Sequence, residues 1–156
     1  MSIIKLPKMD EDEIKEAITA HNLCRIAFID GEYPYIAPFQ YICIDEVIYF
    51  HFTDYGKKKQ ILKKNQNICI SIEHFEADLS KYYFISIKGK LELVEDINLK
   101  KDVMNQMAKS VRKKYSKNFL SVHGFEKNKG WDVFTSKNQL IYRFKQLGAP
   151  IGLKSI

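Results

Sequence analysis

Long apolar runs are missing from this sequence. Nowhere in its 156 residues does a stretch approach the ~18 apolar positions that a membrane-crossing helix needs. The opening MSIIKLPKMD also lacks the apolar core of a secretory signal. A cytoplasmic protein without a membrane partner is therefore expected. Cysteine is scarce: Cys24, Cys43 and Cys69 sit singly inside apolar runs, with no CxxC pair. Their odd count argues against a disulfide framework, so they read as buried thiols. The four histidines, His21, His51, His74 and His123, form no HxH or HxxxH grouping, which removes the usual basis for a protein-bound metal centre. Repeats, low-complexity tracts and linkers are absent as well. One globular domain spanning residues 1–156 follows, of a size that buries roughly 68–70% of its unfolded surface.

What is present is aromatic and basic. Hydrophobic residues make up 46% of the chain and aromatic ones 13%, enough for a core, while 25 lysines and arginines exceed 19 acidic residues to give a net charge of +6. That excess points toward an anionic ligand or nucleic acid, but it is spread along the chain. DEDEIKEAITAHN has capping-box spacing between Asp10 and Glu13 and puts Ile14, Ala17, Ile18 and His21 on one helical face. Three β-rich runs follow in LCRIAFIDGEYPYIAPFQYICIDEVIYFHFT, broken at Asp30-Gly31 and Asp45-Glu46, and a meander is their simplest topology. A short helix at Lys57 to Asn65 leads to the strands NICISIEHF and YYFISIKGKLELV, where Ile68, Ile70 and Ile72 share a face and Phe84 and Ile87 are expected near the core.

DINLKKDVMNQMAKSVRKKY, with Leu99, Val103, Met107 and Val111 at helical spacing and Asp96 or Asn98 as cap, predicts the longest helix. SKNFLSVHGFEKNKG reads as a loop with room for a helical turn, and WDVFTS and QLIYRFKQL as a closing hairpin around Lys137-Asn138. Six or seven antiparallel strands with few, peripheral helices imply a small closed or split barrel.

The stretch HFTDYGKKKQILKKNQN gathers three lysines at the start of the short helix. Lys58 lies one turn before Ile61 and Leu62, on their inward side. There it stands beside unpaired helix N–H groups and the positive end of the helix dipole, where a phosphate would satisfy all three. Thr53 would add a hydroxyl, and Gly56 lets backbone come close to a ligand. Lys63 and Lys64 read as solvated positions. From the residues alone, a phosphate seat and a solvated lysine face both remain open.

The ordered set IYFHFTDYGKKKQILKKNQNICISIE, with GEYPYIAPFQYIC before it and ISIKGKLELVEDINLK after it, resembles the pyridoxamine 5′-phosphate oxidase-like FMN-binding split barrels, especially the branch containing nitroimidazole-resistance proteins. In that pattern a strand ending in aromatic-His-x-Thr/Ala is followed by a Gly-basic-Lys turn, a short helix and an Asn-led strand. Gln66 stands here where proline is common. The likeness covers Leu23 to about Lys114.

The resemblance implies a mainly β, antiparallel split β-barrel binding FMN without covalent attachment. It implies phosphate contacts from Thr53, Lys58 and Lys59, with Lys57 beside them and Gly56 in the turn. The flavin edge would lie along Tyr35, Ile36, Ala37, Pro38 and Gln40. His51 would lie beside the flavin as the candidate catalytic residue, against the plainer reading of a hydrogen-bonded core histidine. Trp131 and Arg143 read as a core aromatic and an exposed strand charge. The family habit is a homodimer with flavin between subunits, and the crowding of Tyr33, Tyr35, Phe39, Tyr41, Tyr49 and Phe50 fits an interface as well as a core. The expected function is an FMN-dependent oxidoreductase acting on a small molecule, with NAD(P)H as candidate electron donor. Pyridoxamine-phosphate oxidation itself is not expected, because the ending YRFKQLGAPIGLKSI carries no arginine and histidine pair to grip that substrate. F420 or haem in place of FMN, a flavin binder without catalysis, and a basic nucleic-acid-binding barrel are the rival readings, the last being the weakest.

Overall fold

The computed structural model describes residues 3–131, 133 and 139–156. Near its start, α1 (Glu11–Ala20) is held by the full capping box: Asp10 accepts from the Glu13 amide while the Glu13 carboxylate accepts from the Asp10 amide. Ile14 and Ala17 are buried, and His21 is the residue that caps the helix C-terminus.

Three strands then form the meander: β1 (Leu23–Asp30), β2 (Tyr33–Ile44) and β3 (Val47–Thr53). The first turn centres on Gly31, whose φ of 64° lies in the left-handed region that glycine adopts at little cost. Asp45 and Glu46 make the second turn, with φ of 49° and 64°, matching the right-handed twist of the strands they join. After α2 (Lys57–Lys64) come β4 (Asn67–Phe75), β5 (Tyr82–Leu93), α3 (Ile97–Lys114), α4 (Asn118–Val122), β6 (Gln139–Gln146) and β7 (Ile151–Lys154).

The sheet order is β4-β1-β2-β3-β6-β5-β7, and an added β4–β5 ladder closes the first six strands into an antiparallel barrel, with β7 paired outside on β5. Closure removes the free edges of those six strands. Ile26, Phe28, Phe50, Ile70, Ile72, Ile85, Ile87 and Leu91 fill the interior. A second cluster under α3 and α4 joins Val103, Met104, Met107 and Leu120 to the outer side of β6 through Ile141. Asp96 caps α3 by accepting from the Leu99 amide at 2.7 Å.

Two expectations need correction. Phe84 lies on the outward side of β5, 42% exposed, because strand alternation cannot turn both it and Ile87 inward. Trp131 and Val133 lie in tight helical turns rather than in a strand, with Trp131 packed on Phe119 at 6.0 Å; the Lys137-Asn138 turn lies outside the described residues. Gly89, inside β5, is a packing requirement. A side chain there would overlap the Phe144 ring and the Lys145 carbonyl oxygen, so β6 can lie against β5 only because residue 89 has no Cβ. No helix among the described residues is long and apolar enough to cross a membrane.

Candidate functional site

The β2–β3 ladder is short. It runs from Tyr41 opposite Phe50 to Ile44 opposite Val47. Upstream, β2 pairs with β1 from Tyr33 to Gln40, and β3 pairs with β6 from Tyr49 to Thr53. Pro38–Gln40 and His51–Thr53 are therefore drawn apart by their other neighbours, and a cleft of about 410 Å³ opens between them. Ligand pockets commonly fall in this size range. Phe39 and Phe52 stack across its base at 4.7 Å. Lys58 closes one end, while Met107, Ser110 and Val111 of α3, Phe119 of α4 and His123 just after it form the far wall. None of the described lining residues is acidic.

The three lysines have different surroundings. Lys57 is exposed, ion-paired with Asp30 at 2.8 Å and set over the Tyr35 ring at 4.9 Å. Lys59 is held by the carboxylate and the carbonyl of Asp54. Lys58 is half-buried in the cleft wall, its Nζ 5.1 Å from the Phe39 ring centroid. Gly56, the residue before the helix, has φ of 89° and no side chain caps the first amides of α2. The space a Cβ would take at Gly56 is open, so backbone donors there can be approached closely.

Gln40 adds a third polar feature. Its Oε1 is buried and has no hydrogen-bond partner among the described residues, an arrangement that costs about 1–3 kcal/mol unless a ligand or water supplies a donor. His51 bonds through Nε2 to the Gln139 oxygen, and burial pushes its imidazole down to about 4. The His123 ring lies 6.3 Å from that of His51, stacks on Phe119 at 4.1 Å and donates from Nδ1 to the Phe119 carbonyl at 3.0 Å. Burial also lowers the His123 imidazole, and the nearby Lys58 charge adds to this. Among the described residues, an anion entering the cleft thus meets one permanent cation, Lys58, and two neutral imidazoles.

Of the residues singled out from sequence, Pro38, Gln40, His51, Thr53 and Lys58 line this one cleft. Tyr35, Ile36, Ala37, Gly56, Lys57 and Lys59 do not line it. Ala37 is buried in the barrel, Ile36 is 60% exposed on the outer face, and Tyr35 packs beside Phe28 at 6.0 Å. Arg143 is ion-paired with Glu92 at 2.9 Å on the exposed side of β6. Gln139 and the cleft-lining role of His123 were missed. Both depend on long-range packing for which the local sequence carries no signal.

A split six-stranded barrel with a lysine-bearing cleft at the parting of two strands narrows the family, and the sequence decides it. Residues 10–128 match the profile of the pyridoxamine 5′-phosphate oxidase family. The chain belongs to that family. No curated protein matches the sequence. Solved structures of similar fold include a FAD-binding protein from Mesorhizobium loti, at 15% identity and a TM-score of 0.71, covering 98% of this chain and 100% of that one. A candidate 5-nitroimidazole antibiotic resistance protein from Bacteroides thetaiotaomicron is 19% identical with a TM-score of 0.67, over 96% of this chain and 87% of that one. The haem storage protein HutZ from Vibrio cholerae is 14% identical with a TM-score of 0.64, over 92% and 94%. At these identities the likeness is one of fold, and within the pyridoxamine 5′-phosphate oxidase family the ligand must be argued from the cleft.

Proposed function

We propose that this protein binds FMN non-covalently in the β2–β3 cleft and works as an oxidoreductase on a small molecule, with NAD(P)H as the candidate electron donor. The observation that carries the reading is Lys58 and Thr53 together in a cleft with no acid among its described lining residues, Lys58 itself belonging to the first turn of α2, whose amides no side chain caps. Such a corner suits a phosphate monoester: an ammonium, a hydroxyl and helix-terminal N–H groups all favour a dianion. The unpartnered Gln40 oxygen further along suits a ring N–H donor.

Bound flavin would supply the hydride or electron chemistry. The chain's own part is binding and exclusion. Lys58 neutralises the phosphate, the Phe39–Phe52 stack gives an apolar base, and α3 and α4 keep water from one side of the cleft. His51 and His123, both held neutral by burial, would offer the ligand hydrogen bonds without a second fixed charge.

A homodimer is part of the proposal. Leu23, Ile29, Tyr33, Ile36 and Phe84 are exposed apolar residues on strands β1, β2 and β5, the kind of surface that a partner subunit covers. Four of the six aromatics noted in the sequence, Phe39, Tyr41, Tyr49 and Phe50, are instead buried within the chain. We place this activity in the cytoplasm.

The absorbance spectrum of the purified protein tests the cofactor. Flavin maxima are expected; a single violet deazaflavin band or a Soret band would overturn FMN in favour of F420 or haem. Sedimentation at micromolar concentration should give a dimer, and a flavin-loaded monomer would refute that part. Turnover of bound flavin with NAD(P)H and an acceptor separates an enzyme from a carrier.

A further inference from the structure

Gln139 opens β6 and is the one polar residue that the described residues place in the buried class, at 5% exposure. An amide buried that deeply is costly unless it is hydrogen-bonded. Its register explains the partner: Gln139 lies opposite Thr53 and Ile141 opposite His51, so Gln139 and His51 are diagonal neighbours on adjoining strands. The Gln139 oxygen meets His51 Nε2. His51 lines the cleft, and Gln139 lines an adjoining recess of about 320 Å³ that shares Thr53 and His123 with it.

We propose that Gln139 is a positioning residue for the ligand cleft: its side-chain oxygen fixes the proton of His51 on Nε2 and leaves Nδ1 as the unprotonated nitrogen of a ring that lines the cleft. An amide oxygen accepts only, so the ring nitrogen facing it must carry the hydrogen. Among the described residues, the charged or titratable groups acting on the ring are His123, 6.3 Å away, and the α3 residue Lys100, and both disfavour an imidazolium. Gln139 holds the tautomer without adding charge, whereas a carboxylate in its place would favour the charged ring. What the ring then does to a flavin rests on the function proposed above; the tautomer assignment does not.

The test is ¹⁵N imidazole NMR of the flavin-free protein. Wild type should show His51 as the Nε2–H tautomer, neutral down to about pH 5. Gln139→Glu should raise the His51 midpoint by about two pH units. Gln139→Met should release the ring into a mixture of tautomers. An Nδ1–H ring in wild type, a wild-type midpoint near 6.5, or a midpoint unmoved by Gln139→Glu would each overturn the assignment. The wild-type spectra decide it even if a variant fails to fold. A parallel FMN titration keeps the two readings apart: no FMN binding, with the NMR result as expected, would defeat the flavin reading and leave Gln139 in its role.

Discussion

At one end of the β2–β3 pair, Tyr41 to Ile44 and Val47 to Phe50 zip together across the Asp45-Glu46 turn; at the other, Pro38 to Gln40 and His51 to Thr53 part to form the cleft. Alternation and aromatic content are much the same in both halves. What differs is the third strand. Beyond Phe50, β3 keeps its ladder with β6, and before Tyr41, β2 keeps its ladder with β1, so the barrel's closure pulls the two edges apart. The cleft is thus a product of pairing, and the residues that fall into it acquire their roles from where the ladder stops. The partly buried imidazoles His51 and His123 lie at the split end, and the zipped end has none.

Breaking the zipped half should cost the most. Phe50 is fully buried, and Phe50→Ala should lower stability by about 3–5 kcal/mol in urea unfolding, taking ligand binding with it. A loss under ~1 kcal/mol would mean that the hairpin is not the clamp holding the split open at a fixed width.

Acid should act on the split half. The folded His51 imidazole is depressed from 6.5 to about 4, so the unfolded chain binds the proton first. The associated stability is fully present above about pH 6.5 and is lost as pH falls toward 4, up to ~3 kcal/mol in all. Denaturation midpoints of wild type and His51→Gln compared at pH 7 and pH 4.5 should diverge by about 2–3 kcal/mol, with wild type the more acid-sensitive. Parallel pH dependence in the two proteins would contradict the burial argument.

The lysines sharpen the comparison further. Lys58→Ala should weaken FMN by about 10- to 150-fold, the loss of one charge-assisted contact worth ~1.5–3 kcal/mol, while stability moves by less than ~0.5 kcal/mol. Lys59→Ala should weaken it less, because Asp54 already holds that ammonium. The smallest effect belongs to Lys63→Ala: an exposed side chain at the far end of α2 should leave both affinity and stability unchanged within error. Equal FMN affinity across all three variants would reduce the run to a solvated face.

Legibility followed the range of the interactions. The α1 capping box, the meander, the glycine turn and the inward faces of β4 and α3 are local, and their residues announce them. Lys58 was readable as inward-facing because helix geometry ties it to Ile61 and Leu62. Closure through β4–β5 was readable only as a consequence of strand number. The separate engagements of Lys57 with Asp30 and Lys59 with Asp54 were not readable, since nothing in the run KKK distinguishes its members. His123 reaches the cleft and the His51 ring through the turn after α4, and Gln139 reaches His51 across a strand pair; each contact joins distant parts of the chain. Phe84 was misjudged because one apolar strand offers two faces, and only pairing decides which is inside.

The central claim is that the cleft is a phosphate-anchored flavin site, and fluorescence titration of wild-type protein with FMN and with riboflavin tests it most directly. The two ligands share the ring system and differ in the phosphate that Lys58, Thr53 and the α2 amides would hold. FMN should bind at least about tenfold more tightly than riboflavin, with riboflavin indifferent to Lys58→Ala. Equal dissociation constants for the two ligands would contradict it.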